Sequence, residues 1–311
     1  MKRILVTGAT GQIGTDLVEK LIEVYGDDNV LSCSRRERPE NWVGKHYESL
    51  DVTDAKRFFE ITKSFAPDTI LHLAAVLSAV GEDNPQLLWD INVNGLYNSL
   101  EIARELDLAL FVPSSIGAFG PSTPKVGTPQ TTIQRPTTAY GVSKVAGELL
   151  CDYYYKRFGV DTRGVRFPGL ISYKALPGGG TTDYAVHIYY DALKKGSYTS
   201  FIGEGTYMDM MYMPDAVDCI IDLMEADPSK LIDRNAFNVS GMSFDPSDME
   251  KSIQKFIPGF SLDYDVDPVR QAIADSWPDK MDVSAAREQW GFDPKYDLDA
   301  MTKDMLEKLA E

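Results

Sequence analysis

The chain has 311 residues, 43% hydrophobic and 25% charged, enough for one large domain or two modest ones around a sizeable core. With 31 basic against 47 acidic side chains and a net charge of −16, its surface repels nucleic acid and anionic lipid, so neither a nucleic-acid nor a membrane partner is expected. Three scattered cysteines (Cys33, Cys151, Cys219) argue against a disulfide framework, and three scattered histidines (His46, His72, His187) lack metal-ligand spacing, so no metal is expected. The apolar run Ile4-Leu5-Val6 is too short for a signal or membrane segment, and the expectation is a cytoplasmic protein.

Ile4 to Thr7 reads as a buried strand ending at Gly8. From Ile13, the apolar residues Leu17, Val18, Leu21, Ile22 and Tyr25 recur at helical spacing. There follow a strand over Val30 to Ser34, a helix over Ala55 to Phe65, a strand over Thr69 to Ala74 and a long helix over Leu87 to Leu106. A strand over Leu108 to Ser114, a second long helix over Ala139 to Phe158 and a strand over Val160 to Phe167 close the series. This alternation predicts an α/β fold, a doubly wound parallel sheet of Rossmann type with helices on both faces. After Gly169 the pattern breaks at Gly178-Gly179-Gly180, and further helices are predicted near Asp183–Lys194 and Asp215–Glu225. Residues 1–170 are read as a dinucleotide-binding domain. Residues 171–311 are read as mainly a smaller substrate lobe, partly interleaved with the first.

The first strand leads into Gly8-Ala9-Thr10-Gly11-Gln12-Ile13-Gly14, glycines at every third position between a strand and a helix. Such a loop lets backbone approach a pyrophosphate, which rests on the helix N-terminus. The carboxylate that would hold a ribose hydroxyl some 20 positions on is absent, and Ser34 stands there, followed by Arg35 and Arg36. Ser34 can bond a ribose hydroxyl, which suits NAD, or the arginines can meet a 2′-phosphate, which suits NADP. Asp51-Val52 is placed either to meet the adenine or, beside Thr53-Asp54, to cap the next helix.

Tyr140 and Lys144 are four apart in the second long helix and share one face. An ammonium a few Å from a phenol favours the phenolate, the form that accepts a proton from a substrate hydroxyl. Ser115 follows the end of the preceding strand, where active groups of open parallel sheets collect.

Across nearly its whole length the chain resembles the extended short-chain dehydrogenase/reductase superfamily. The resemblance rests on the glycine loop, Leu73-Ala74-Ala75, Asn92-Val93-Asn94-Gly95, Ser114 to Gly120 and Tyr140-Gly141-Val142-Ser143-Lys144. It implies a Ser115, Tyr140 and Lys144 triad, with Asn92 holding a water in the proton relay. It also implies cofactor contacts from Leu73, Ala74, Ala75, Asn92, Tyr140, Lys144 and Phe167. The later runs Val165–Ser172, Pro177–Val186, Met210–Ala216 and Asn238–Phe244, together with Ala274-Asp275-Ser276-Trp277-Pro278, are similar to the short-chain L-threonine 3-dehydrogenases. That similarity implies NAD-dependent oxidation of L-threonine to L-2-amino-3-oxobutanoate, on the way to aminoacetone or glycine. The substrate contacts it implies are Ser78, Ser115, Tyr140, Gly180, Thr181, Thr182 and Trp277. Family members usually carry an aspartate where this chain has Ser34. A nucleotide-sugar epimerase or dehydratase is the competing enzyme class, disfavoured by sparse arginines between Gly169 and Arg234. A non-catalytic dinucleotide sensor is disfavoured by the intact catalytic positions. A monomer or a homodimer through the two long helices is expected.

Overall fold

Strand β1 (Ile4–Thr7) is buried along its whole length, because it lies inside a sheet whose two faces are covered by helices. The computed structural model describes residues 1–174 and 180–310; of the predicted substrate run at 177–186, residues 177–179 lie outside the described residues. After β1 come α1 (Gln12–Tyr25), β2 (Val30–Ser34), β3 (His46–Ser49), α2 (Ala55–Phe65), β4 (Thr69–His72), α3 (Ser78–Asp83), α4 (Pro85–Trp89) and α5 (Gly95–Leu106). Then follow β5 (Ala109–Ser115), β6 (Val126–Thr128), α6 (Ala139–Phe158), β7 (Thr162–Phe167), β8 (Gly169–Ile171), α7 (Tyr184–Lys195), β9 (Ser197–Ser200), β10 (Met208–Tyr212) and α8 (Met213–Glu225). The remainder comprises β11 (Phe237–Asn238), β12 (Met242–Phe244), α9 (Pro246–Gln254), β13 (Ser261–Tyr264), α10 (Pro268–Ala274), β14 (Lys280–Met281), α11 (Ser284–Trp290) and α12 (Leu298–Ala310).

Seven parallel strands form the main sheet in the order β11-β7-β5-β4-β1-β2-β3. Successive strand side chains point to opposite faces. Ile4 and Val6 therefore pack with Leu17, Leu21, Ile220 and Leu223 of α1 and α8. Leu5 packs with Phe58, Leu100 and Cys151 of α2, α5 and α6 on the other face. A separate core around Tyr184, Tyr189, Met249 and Met301 joins α7, α9 and α12. Strand order reverses between β1 and β4, and the crevice beyond that reversal is where open α/β sheets bind ligands.

The helices over Ala55–Phe65 and Ala139–Phe158 match their predicted bounds. Both have clear signals: Asp54 and Thr138 accept hydrogen bonds as N-caps, and Gly159 closes α6 in the left-handed region. Several elements differ. The strand expected to Ala74 stops at His72, because Leu73 to Ala75 leave the sheet. The strand expected from Val160 starts at Thr162, after a turn in which Thr162 donates to the Val160 carbonyl. The helix expected from Leu87 begins at Pro85, whose missing N–H costs nothing in a first turn, and winds through a wide π turn over Asp90–Asn94 before α5. Among the described residues, no helix is long and apolar enough to cross a membrane.

Candidate active site

Gly8 turns with φ +66°, and a Cβ there would stand 2.7 Å from the backbone of Leu73 and Ala74. Gly14 lets α1 press onto the same loop, where a Cβ would lie 2.5 Å from the Gly8 and Ala9 carbonyl oxygens. Gly11 caps α1 without a side chain, and the first turn carries no acidic residue. The helix dipole and its first N–H groups therefore present a site for an anion such as a pyrophosphate.

A cleft extends from this loop past Thr10, Gly11, Ser34, Arg35 and Arg36, with Leu50, Val52 and Ala74 across it. Ser34 is buried, its Oγ 2.7 Å from Thr10 Oγ1 and accepting from the Arg36 N–H at 3.3 Å. Asp51 is exposed and does not line the cleft. Its Oδ1 accepts from the Thr53 N–H at 2.9 Å and from Thr53 Oγ1 at 2.7 Å. Partial burial pushes its carboxyl up, but the Thr53 hydrogen bonds outweigh that and hold it below the usual range. Asp54, not Asp51, caps α2.

Leu73 and Ala75 form a wall common to this cleft and a second one, so the two make a continuous trough. In the second lie Ser115, Tyr140 and Lys144. Ser115 ends β5, and its Oγ accepts from the Gly117 N–H at 3.1 Å. Tyr140 sits in the first turn of α6. Its N–H donates to Glu82 at 3.2 Å, while the Thr138 cap accepts from the Gly141 N–H at 3.0 Å. A Cβ on Gly117 would lie 3.2 and 3.3 Å from the Tyr140 ring and 3.5 Å from Ser115 Oγ, so phenol and hydroxyl flank one glycine. Lys144 Nζ lies 5.4 Å from the Tyr140 ring centroid and donates to the Pro113 carbonyl at 2.8 Å. Gln12, Ile13 and Phe167 line this cleft, as do Ser78, Gly180, Thr181, Thr182 and Trp277. Thr181 and Trp277 are buried. A phenol, a hydroxyl and an ammonium converging on one cleft are equipped to move a proton on or off a substrate oxygen.

Asn92 lies apart, in the π turn, where it lines an inner cavity behind Lys144. Its Oδ1 accepts from the Val76 N–H at 2.7 Å, and its Nδ2 donates to the Val76 carbonyl at 3.0 Å and to Ser143 Oγ at 3.3 Å. Ser143 in turn donates to the Tyr140 carbonyl at 2.7 Å. The amide thus joins the π turn to the first turn of α6. His72 lines the same cavity. Burial, with the charge of Lys144 adding, pushes its imidazole down to about 3, so it stays neutral.

Sequence reasoning passed over several residues. Leu77, Ile116 and Asp183 line the reaction cleft, and Glu82 holds the Tyr140 backbone. Glu148, one turn beyond Lys144 and buried, accepts from Ser114 Oγ and forms a two-point ion pair with Arg166. Its i+4 spacing from Lys144 was the available signal.

The model of the NAD dependent epimerase/dehydratase family matches residues 4–240. An uncharacterized epimerase/dehydratase of Staphylococcus saprophyticus is 62% identical, the alignment covering 99% of this chain and 97% of that protein. The L-threonine dehydrogenase of Clostridium difficile superposes with a TM-score of 0.98 at 61% identity, over 100% of this chain and 98% of that one. A GalE-like L-threonine dehydrogenase of Cupriavidus necator, in its holo form, superposes at 0.96 with 46% identity and 99% coverage of both chains. The glycine loop, the acid-free start of α1 and the trough beyond it fit a nicotinamide dinucleotide. On its sequence and its fold, this chain belongs to the NAD dependent epimerase/dehydratase family, of the extended short-chain type.

Proposed function

We propose that the protein oxidises L-threonine to L-2-amino-3-oxobutanoate, using NAD in preference to NADP. The observation that carries this reading is the composition of the reaction cleft. Ser115, Tyr140 and Lys144 share it with Ser78, Thr181 and Trp277. Among its described lining residues, Lys144 is the only cation and Asp183 the only anion. That balance suits a small zwitterion and offers little to the two phosphates of a nucleotide sugar. The likeness to L-threonine dehydrogenases at 61% and 46% identity supports the same reading.

Tyr140, as phenolate, takes the proton of the substrate hydroxyl, and Ser115 hydrogen-bonds the same oxygen. Lys144 keeps positive charge beside Tyr140 and would hold the ribose of the dinucleotide. Asn92, through Ser143, fixes the turn that presents Tyr140. When bound, the nicotinamide supplies the acceptor for the hydride that leaves the alcohol carbon. The Gly8–Gly14 loop would hold the pyrophosphate, and Ser34 the adenosine ribose. We read the protein as a monomer or a homodimer acting in the cytoplasm.

The test is the initial rate of absorbance increase at 340 nm with L-threonine and NAD, then NADP, with L-serine and L-allo-threonine for comparison. Selective reduction of NAD by L-threonine is expected. No rate on L-threonine, with turnover of a nucleotide sugar, overturns the reading.

A further inference from the structure

The helix that presents Tyr140 and Lys144 carries Glu148 at the next i+4 position of the same face. The Glu148 and Arg166 side chains are each 8% exposed. Arg166 Nε donates to Glu148 Oε1 at 3.1 Å and Nη2 to Oε2 at 2.9 Å, the fork-to-fork geometry that fixes orientation as well as distance. Ser114 Oγ donates to Oε1, and Gln134 Nε2 to Oε2 at 2.9 Å, so both oxygens are doubly engaged. The remaining Arg166 nitrogen, Nη1, donates to the Gln130 carbonyl at 2.8 Å and to Asn238 Oδ1 at 3.0 Å.

Ser114 and Arg166 are register partners on β5 and β7, and the next pair in the ladder is Ser115 and Phe167, both in the reaction cleft. One carboxylate on the helix of Tyr140 therefore grips two neighbouring strands, one residue behind the pair that faces the chemistry. A buried ion pair is rarely more stabilising than an apolar pair of the same volume. What it does supply is a fixed separation and angle between α6 and the strand ends, and a misplacement of 1 Å at reacting groups costs roughly 100-fold in rate.

We propose that the Glu148–Arg166 pair is a positioning device that sets the distance between Tyr140 on α6 and Ser115 on β5, and so controls the rate of the proton-transfer step without touching substrate. The inference rests on reading Ser115 and Tyr140 as the reacting groups.

The full-length double variant E148M/R166M separates geometry from stability, because it replaces the ion pair by two unbranched apolar side chains. The readouts are thermal unfolding, dinucleotide binding by fluorescence, kcat and KM. A folded variant that binds dinucleotide normally but loses at least about tenfold in kcat, with KM changed less, is expected. A folded variant with wild-type kcat overturns the proposal. Where the double variant does not fold, E148Q, which keeps volume and loses charge, is decided by the same split. Crystal structures of wild type and variant read the Ser115 Oγ to Tyr140 Oη separation without turnover, and an unchanged separation also overturns it. A wild type inactive on L-threonine but active on another alcohol removes the substrate reading and leaves this comparison intact on that alcohol.

Discussion

Gly141 packs so closely on the carbonyl of Gly117 that no side chain fits between them, and this contact sets the first turn of α6 against the loop after β5. Tyr140 and Ser115 flank the same loop, so their approach depends on two positions without side chains. Gly141→Ala forces backbone apart and should destabilise the protein by about 1–3 kcal/mol, the usual cost of overpacking. Gly117→Ala brings a methyl 3.2 Å from the Tyr140 ring, tight enough to move the phenol by a few tenths of an ångström. Its expected result is a wild-type Tm with a lowered kcat. Calorimetry and steady-state kinetics on the two variants check this division.

Tyr140→Phe removes the hydroxyl and keeps the ring. Turnover should fall by roughly 100-fold or more, on the scale of lost general acid–base catalysis. Dinucleotide affinity, measured by fluorescence quenching, should stay close to wild type. A variant with undiminished turnover would remove Tyr140 from the mechanism.

Ser34→Asp places a carboxylate where Ser34 Oγ now meets Thr10 and the Arg36 N–H. A carboxylate repels a 2′-phosphate and accepts from a ribose hydroxyl, so the ratio of kcat/KM for NAD over NADP should rise at least about tenfold, equivalent to 1.4 kcal/mol. An unchanged ratio would mean that residue 34 does not face the ribose.

Asp209 is fully buried on β10, accepting from Ser240 Oγ at 2.6 Å and from the Met281 N–H of β14. Burial pushes its carboxyl up to about 7, against the pull of those hydrogen bonds. Between its ordinary value near 4 and that raised value the folded state holds a proton that the unfolded state has lost. Its contribution to stability is therefore full at low pH and falls by up to about 1.4 kcal/mol per pH unit as pH rises through this window. His72 works in the opposite sense. Its lowered folded value, about 3, makes its contribution full above about 6.5 and lost as pH falls. The two slopes oppose each other through the window they share. Asp209→Asn should therefore give a stability whose slope against pH between about 4 and 6.5 is more positive than that of the wild type. Urea unfolding of wild type and variant at several pH values measures the difference, and parallel curves would contradict it.

The main sheet and the meeting of Ser115, Tyr140 and Lys144 in one cleft were legible because their signals are local. The long helical run from Ala139 to Phe158 marked α6, the i+4 spacing of Tyr140 and Lys144 marked one of its faces, and a strand end marked Ser115. The π turn at Asp90–Asn94 was not legible, since it depends on the Asn92 side chain clasping both backbone groups of Val76, 16 residues away. Nor were the pairings of β13 with β9 and β14 with β6, short strands whose partners stand far off in the chain. Glu148 was missed for the same reason. Its meaning appears only when Ser114, Gln134 and Arg166 arrive from three other segments.

The seventh strand of the main sheet is only two residues long, yet Phe237 and Asn238 are what pair with Val165 and Arg166 along β7. During synthesis, the segment that covers this edge leaves the ribosome some 70 residues after β7 itself. Until then β7 offers an unpaired row of N–H and C=O groups to any other extended chain nearby. A polypeptide released before Phe237 would keep that edge open permanently, and its characteristic failure would be strand-to-strand aggregation rather than loss of the dinucleotide loop at the opposite end of the sequence.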